Sequence, residues 1–251
     1  MVASEPRVAL VTGATSGIGR ATAELLVERG WRVVAAGLDE ERSQQLRDTL
    51  GETGHVVTAD LTGSDAARTL VEEARSFGGR LDALINNAGI HALASTVDTD
   101  DQTWDQILQI NLTAAFRLSR EAIPVMAAGG GGTIVNVASE AGLVAVAGQV
   151  AYNVSKAGMV MLTRSIAVDH ADQGIRAVSV CPGTTETPLV RAAIDGAQDP
   201  AAHARMLAST RPAKRLGRVE EIAAAIAFTI GGEVPFMTGS ELVIDGGYTA
   251  H

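Results

Sequence analysis

Seven short, mostly β-branched runs alternate along this chain with longer helix-like stretches, and that alternation leaves few folds open. The runs are 8–11, 32–36, 55–58, 83–85, 133–137, 176–180 and 242–244. Most are bounded by Gly, Asn, Asp or Pro, as strands are. Helix-like stretches fall near 18–29, 40–50, 64–77, 101–128, 152–171 and 219–230. Strands joined through helices run parallel, and a parallel sheet needs cover on both faces. The expected fold is α/β, with a seven-stranded doubly wound parallel sheet between two helical layers. Its 251 residues suit one full-size domain, 1–251. Only 3% of residues are aromatic, so the core must be built from small aliphatic side chains. The least regular segment, Thr184–Gly217, reads as a substrate loop or lid, or else as a surface insertion.

Charge and composition exclude several classes. The net charge is −9 and no run of Lys or Arg stands out, so no nucleic-acid partner is expected. The longest uncharged stretch, Ala122–Ser139, is interrupted by Pro124 and four glycines, so no membrane span is expected. Met1–Arg7 carries Glu5 and no apolar run, unlike a secretory leader. The single cysteine, Cys181, cannot form an internal disulfide and reads as a small buried residue. These features fit a cytoplasmic protein. No Cys/His cluster has zinc spacing and His203 stands alone, so no metal is expected.

Between the first strand and the first helix lies Thr12-Gly13-Ala14-Thr15-Ser16-Gly17-Ile18-Gly19. Glycines there permit a tight turn and bring backbone N–H groups close to a pyrophosphate, at the positive end of a helix. The spacing is Gly-x-x-x-Gly-x-Gly. An acidic residue some 20 positions on often meets a ribose hydroxyl. Asp39 lies near that spacing, and it is equally placed to cap the next helix. Asp60, with Leu61 beside it, ends the third strand. It can meet an adenine amino group or serve a turn.

Tyr152-Asn153-Val154-Ser155-Lys156 sits in a helical pattern, where positions i and i+4 share a face. The chain has two tyrosines and two lysines, so this pairing is informative. A free phenol titrates near 10 and is about one part in a thousand ionised at pH 7. An ammonium about 4–6 Å away is worth on the order of 3–4 kcal/mol toward ionising it. A tyrosine tuned in this way exchanges a proton with an alcohol or a carbonyl. Ser139 follows the strand 133–137, at the sheet edge where ligands bind, and can hold a substrate oxygen.

These residues together resemble the short-chain dehydrogenase/reductase family in its compact single-domain branch, across roughly residues 7–248. The resemblance implies a Rossmann fold and a catalytic set of Asn111, Ser139, Tyr152 and Lys156. It implies a nicotinamide cofactor held by Gly13, Thr15, Ser16, Gly17, Ile18 and Gly19, and by Asp39, Asp60 and Leu61. Asn87, Ala88 and Gly89 of the Asn86–Gly89 segment would flank it. Tyr152, Lys156, Pro182, Gly183, Thr185 and Thr187 would complete that contact. Asp245-Gly246-Gly247 resembles the family's C-terminal signature, near a subunit contact, and a homotetramer is implied.

Two departures from the family pattern bear on function. Gly37 stands where NAD users usually carry Asp, and Leu38 where NADP users often carry Arg. With Asp39 and Glu40 nearby and no cation in the glycine turn, NAD is expected over NADP. Arg20 or Arg42 could reverse that preference. Acyl-carrier-linked relatives dock an acidic partner on basic residues, but Met126–Gly132 and Asp172-Gln173 offer none. The expected activity is therefore interconversion of a secondary alcohol and a ketone on a small free substrate. The alternatives are an NADPH-dependent 3-oxoacyl-(acyl-carrier-protein) reductase-like enzyme, or a non-catalytic dinucleotide sensor. Leu143, Val144, Leu189, Met206 and Leu207 are expected to line the substrate pocket. His91 either faces the substrate or is a packed or exposed loop residue, and Glu140 either lines the pocket or faces solvent.

Overall fold

A computed structural model describes residues 6–250. The leader reading of Met1–Arg7 thus lies largely outside the described residues. Seven strands form one parallel sheet: β1 (Val8–Thr12), β2 (Arg32–Gly37), β3 (Gly54–Thr58), β4 (Ala83–Asn86), β5 (Gly132–Val137), β6 (Ile175–Pro182) and β7 (Ser240–Ile244). Their order is β3-β2-β1-β4-β5-β6-β7. The direction of winding reverses between β1 and β4, and a crevice opens there at the strand C-termini.

The helices are α1 (Gly17–Glu28), α2 (Glu40–Leu50), α3 (Ala66–Gly78), α4 (Asp101–Leu108), α5 (Ala114–Ala128), α6 (Val150–Asp169), α7 (Pro188–Asp195), α8 (Pro200–Ser209) and α9 (Val219–Gly231). Alternation along each strand divides the core in two. Ala9, Val11, Val33, Ala35, Ile85 and Val135 pack against Leu26 of α1, Leu46 of α2, and Ile222 and Ile226 of α9. Leu10, Val34, Leu84 and Ile134 pack on the other face, against Leu70 of α3, Leu118 and Met126 of α5, and Ile166 of α6. Small aliphatics do fill both layers, as the scarcity of aromatics requires.

Two expectations need correction. The segment 184–217 is not irregular throughout: it carries α7 and α8. Each starts on a proline after a capping side chain, with Thr187 accepting from Val190 N and Asp199 from Ala202 N. The stretch 101–128 is not one uniform helix. It widens into a π-turn at Gln109–Thr113. Pro124 stays inside α5, which ends only at Gly129. Among the described residues no helix is long and apolar enough to cross a membrane.

Candidate active site

The glycine turn fits against the end of β4. A Cβ on Gly13 would stand 2.9 Å from Ala88 Cα, and one on Gly19 would stand 2.3 Å from the Gly13 carbonyl oxygen. Gly13 also has φ +62°, which an L side chain disfavours. Thr12 Oγ1 donates to Ile85 O and accepts from Asn87 N at 3.0 Å and Ala88 N at 3.2 Å. Asn87 Nδ2 donates back to Thr12 O at 2.9 Å. Ser16 precedes α1 without capping it through its side chain. The first N–H groups of that helix are thus left for an anionic ligand. Gly37 gives room in turn, since a Cβ there would meet Thr15 Cγ2 at 2.2 Å. These features fit a dinucleotide.

A cavity of about 940 Å³ runs from this turn across the crevice. Its walls include Gly13, Thr15–Ile18, Asp60, Leu61, Asn87–Gly89, Ser139, Tyr152, Lys156, Pro182, Gly183, Thr185 and Thr187. One expected residue, Asp39, has another partner and lies off the cavity wall. Asp39 caps α2 by accepting from Arg42 N at 3.0 Å, with its other oxygen 3.5 Å from the Arg42 guanidinium. It is exposed, and Leu38 rather than Asp39 faces the cavity. Asp60 lines the cavity, while its Oδ1 accepts from Thr62 N and Thr62 Oγ1 in the turn. Those bonds hold its carboxyl below the usual carboxylate range.

At the far end, α6 presents Tyr152 and Lys156 beneath the turn that follows β5. Lys156 is buried, and its Nζ donates to Val137 O at 2.8 Å. Burial lowers Lys156 to about 8. Nζ lies 5.7 Å from the centre of the Tyr152 ring. Tyr152 and Ser139 both face the cavity. Burial raises the phenol above its ordinary value; the nearby Ser139 hydroxyl opposes this, and the Glu140 charge adds to it. The expected acidification by Lys156 therefore does not dominate at this phenol.

Asn111 sits in the π-turn. Its Oδ1 accepts from Ile90 N at 2.8 Å, and its Nδ2 donates to Ile90 O at 2.9 Å and Ser155 Oγ at 3.1 Å. It thus ties the segment after β4 to α6.

Several supporting residues escaped the sequence reading. Asn86 Nδ2 donates to Asn136 Oδ1, Asn136 Nδ2 to Thr163 Oγ1, and Ser179 Oγ to Thr163 Oγ1, each at 2.8 Å. This buried chain joins β4, β5, β6 and α6 under the site. Asn136 and Ser179 were visible as polar residues inside apolar strands. Glu140 is buried, not solvent-facing, and is paired with Arg211. Arg211 Nη2 also reaches Thr184 Oγ1 at 2.6 Å, and Nη1 reaches Leu207 O at 2.9 Å. Arg211 had no sequence signal. His91 lines the cavity, edge-on to Tyr152 with ring centres 4.8 Å apart. Leu189, Met206 and Leu207 also line it, whereas Leu143 and Val144 do not. Cys181 is buried, and burial pushes its thiol up to about 12, far from a nucleophile's range. Among the described residues no three His, Cys, Asp or Glu side chains cluster as metal ligands.

Comparison with known proteins agrees with this geometry. The family described as Enoyl-(Acyl carrier protein) reductase matches residues 13–249. An uncharacterized oxidoreductase of Thermotoga maritima is 41% identical over 97% of this chain and 98% of its own. The cis-4-hydroxycyclohexanecarboxylate dehydrogenase of Sinomonas cyclohexanicum is 42% identical over 97% of each chain. The 3-oxoacyl-(acyl-carrier-protein) reductase of Salmonella typhimurium is 37% identical, again over 97% of each. With that coverage the chain belongs to the short-chain dehydrogenase/reductase family. It is an oxidoreductase, and its family implies a nicotinamide cofactor.

Proposed function

We propose that this enzyme interconverts a secondary alcohol and a ketone on a small free substrate, within one domain that serves both cofactor binding and catalysis. The observation that carries the reading is one cavity with the uncapped glycine turn at one end and Ser139, Tyr152 and Lys156 at the other. The turn, with Asn87–Gly89 and Pro182–Thr187, would hold the nicotinamide dinucleotide, which accepts or supplies the hydride when bound. Tyr152 Oη takes the proton from the alcohol, or returns it to the carbonyl oxygen. Ser139 Oγ orients the substrate oxygen. Lys156 adds positive charge beside the phenol and would meet the nicotinamide ribose. Asn111 holds the backbone at Ile90 and supports a proton relay. The segment 184–217 selects substrate through Leu189, Met206 and Leu207.

Substrate size is argued from charge and lining. Leu93, Val146, Leu189, Met206 and Leu207 give the cavity apolar lining, and 126–132 and 172–173 lack the cations that an acidic carrier protein needs. Relatives include a cyclohexanol dehydrogenase of Acinetobacter, 37% identical over 97% of this chain and 95% of its own. The match to a 3-oxoacyl-(acyl-carrier-protein) reductase favours that second reading. For the cofactor we propose NAD(H): no basic side chain enters the glycine turn, and Arg42 is engaged by Asp39. We also propose a cytoplasmic homotetramer. Exposed Phe116, Met161 and Val168 on α5 and α6 supply apolar surface for subunit contact.

The test is turnover of cyclohexanol with NAD and with NADP, beside reduction of an acetoacetyl group free and carrier-linked. Oxidation of the free alcohol with NAD supports the proposal. Activity confined to the carrier-linked compound overturns it.

A further inference from the structure

Two cations, Lys156 and Arg211, line the cavity, and each is bonded to protein groups. Lys156 donates to Val137 O. Arg211 is 3% exposed and gives its Nη groups to Glu140, Thr184, Thr210 and Leu207. A polar group of a different kind stands beside Tyr152. His91 is edge-on to the phenol, and its Nε2 lies 2.6 Å from Gln149 Oε1.

A chain of hydrogen bonds fixes the proton on that imidazole. A backbone carbonyl only accepts, so Asn153 must offer its Nδ2 to Val146 O at 2.8 Å. Asn153 Oδ1 is then the acceptor for Gln149 Nε2 at 3.1 Å. That leaves Gln149 Oε1 to face His91, so His91 Nε2 carries the hydrogen. Nδ1 of the neutral ring is then a lone-pair acceptor. It meets no hydrogen-bond partner among the described residues. Both supporting segments are pinned. Ile90, next to His91, has its N–H and its carbonyl clamped by Asn111, and Ala94 bridges to Gln149.

We propose that His91 Nδ1 accepts a hydrogen bond from a second hydroxyl of the substrate, one or two carbons from the reacting carbon. The substrate class is then a neutral diol, or the matching hydroxyketone, rather than a hydroxy acid. The closeness of His91 to Tyr152 sets the spacing, and a carboxylate, which only accepts, offers Nδ1 no hydrogen. This rests on the alcohol-oxidising reading above.

The test compares kcat/KM for 1,2-cyclohexanediol, cyclohexanol and 2-hydroxycyclohexanecarboxylate, in the wild type, His91→Phe and His91→Asn. The wild type should prefer the diol to both others. His91→Phe should lower the diol-to-cyclohexanol ratio by about tenfold, the scale of one lost hydrogen bond, chiefly through KM. His91→Asn, which retains an acceptor, should recover part of that ratio. An unchanged ratio in His91→Phe overturns the inference, as does a wild type that prefers the hydroxy acid. If cyclohexanol is oxidised and the diol is not preferred, this inference fails while the functional reading stands. If none of the three is oxidised although NADH binds, the functional reading fails and this inference fails with it.

Discussion

Replacing Arg211 with methionine removes a charge from the interior while keeping most of the side chain's length. In the native protein Arg211 and Glu140 have side chains only 4% and 8% exposed. The substitution strands the Glu140 carboxylate and takes donors from Thr184 and Leu207. Breaking a buried pair on one side costs about 3–5 kcal/mol, because an uncompensated charge remains. The cost depends on pH in a definite direction. Burial, partly offset by Arg211, already raises Glu140 from 4.5 to about 7. A carboxyl raised on folding stabilises the native state fully below its unfolded value, and that contribution is lost as pH rises through about 7. Its size here is about 3 kcal/mol. Without Arg211 the value rises further, so at pH 8 the variant must bury an unpaired charge or bind a proton against its ordinary value, whereas at pH 5 Glu140 is protonated with or without Arg211. Urea unfolding followed by circular dichroism should show a loss of about 3–5 kcal/mol at pH 8 and clearly less at pH 5. Adding Glu140→Leu should recover most of the loss at pH 8. A loss below about 1 kcal/mol at pH 8, or an equal loss at both pH values, would refute the reasoning.

Other consequences are as direct. Gly19→Ala drives a Cβ against the Gly13 carbonyl, so NADH affinity should fall by about tenfold or more in a fluorescence titration. Asn136→Ala cuts the buried chain between Asn86 and Thr163, and should cost about 1–3 kcal/mol in urea unfolding. Titration with NADH and NADPH should show tighter binding of NADH; a preference for NADPH would mean that an arginine such as Arg42 leaves Asp39 to meet the 2′-phosphate.

The strands were legible because β-branched runs bounded by turn residues carry their own signal. Each lies within two residues of its expected end. The glycine turn and the Tyr152–Lys156 pair were legible because local spacing dictates their geometry. What lay beyond reach depends on contacts distant in the chain. Arg211 meets Glu140 across 71 positions, and no periodicity announces that pairing. The π-turn at Gln109–Thr113 is hidden because the apolar pattern runs through it, while the widening is stabilised by Asn111 bonding to Ile90, 21 positions away. Asp39 shows the limit of spacing alone: the same position satisfies a ribose contact and a helix cap, and Arg42 N takes its oxygen. The helices of 184–217 were missed because α7 and α8 are short, though Thr187-Pro188 and Asp199-Pro200 are capping signals at both starts.

The central claim is that Tyr152 exchanges the proton with the substrate oxygen in a site that binds the dinucleotide elsewhere. It is tested most directly by measuring cyclohexanol oxidation and NADH binding on the same preparations of the wild type and Tyr152→Phe. The account predicts that kcat falls by at least about a hundredfold, while the NADH dissociation constant changes by less than about threefold, since the glycine turn and the Asn87–Gly89 segment are untouched. A Tyr152→Phe enzyme that keeps wild-type turnover would contradict it.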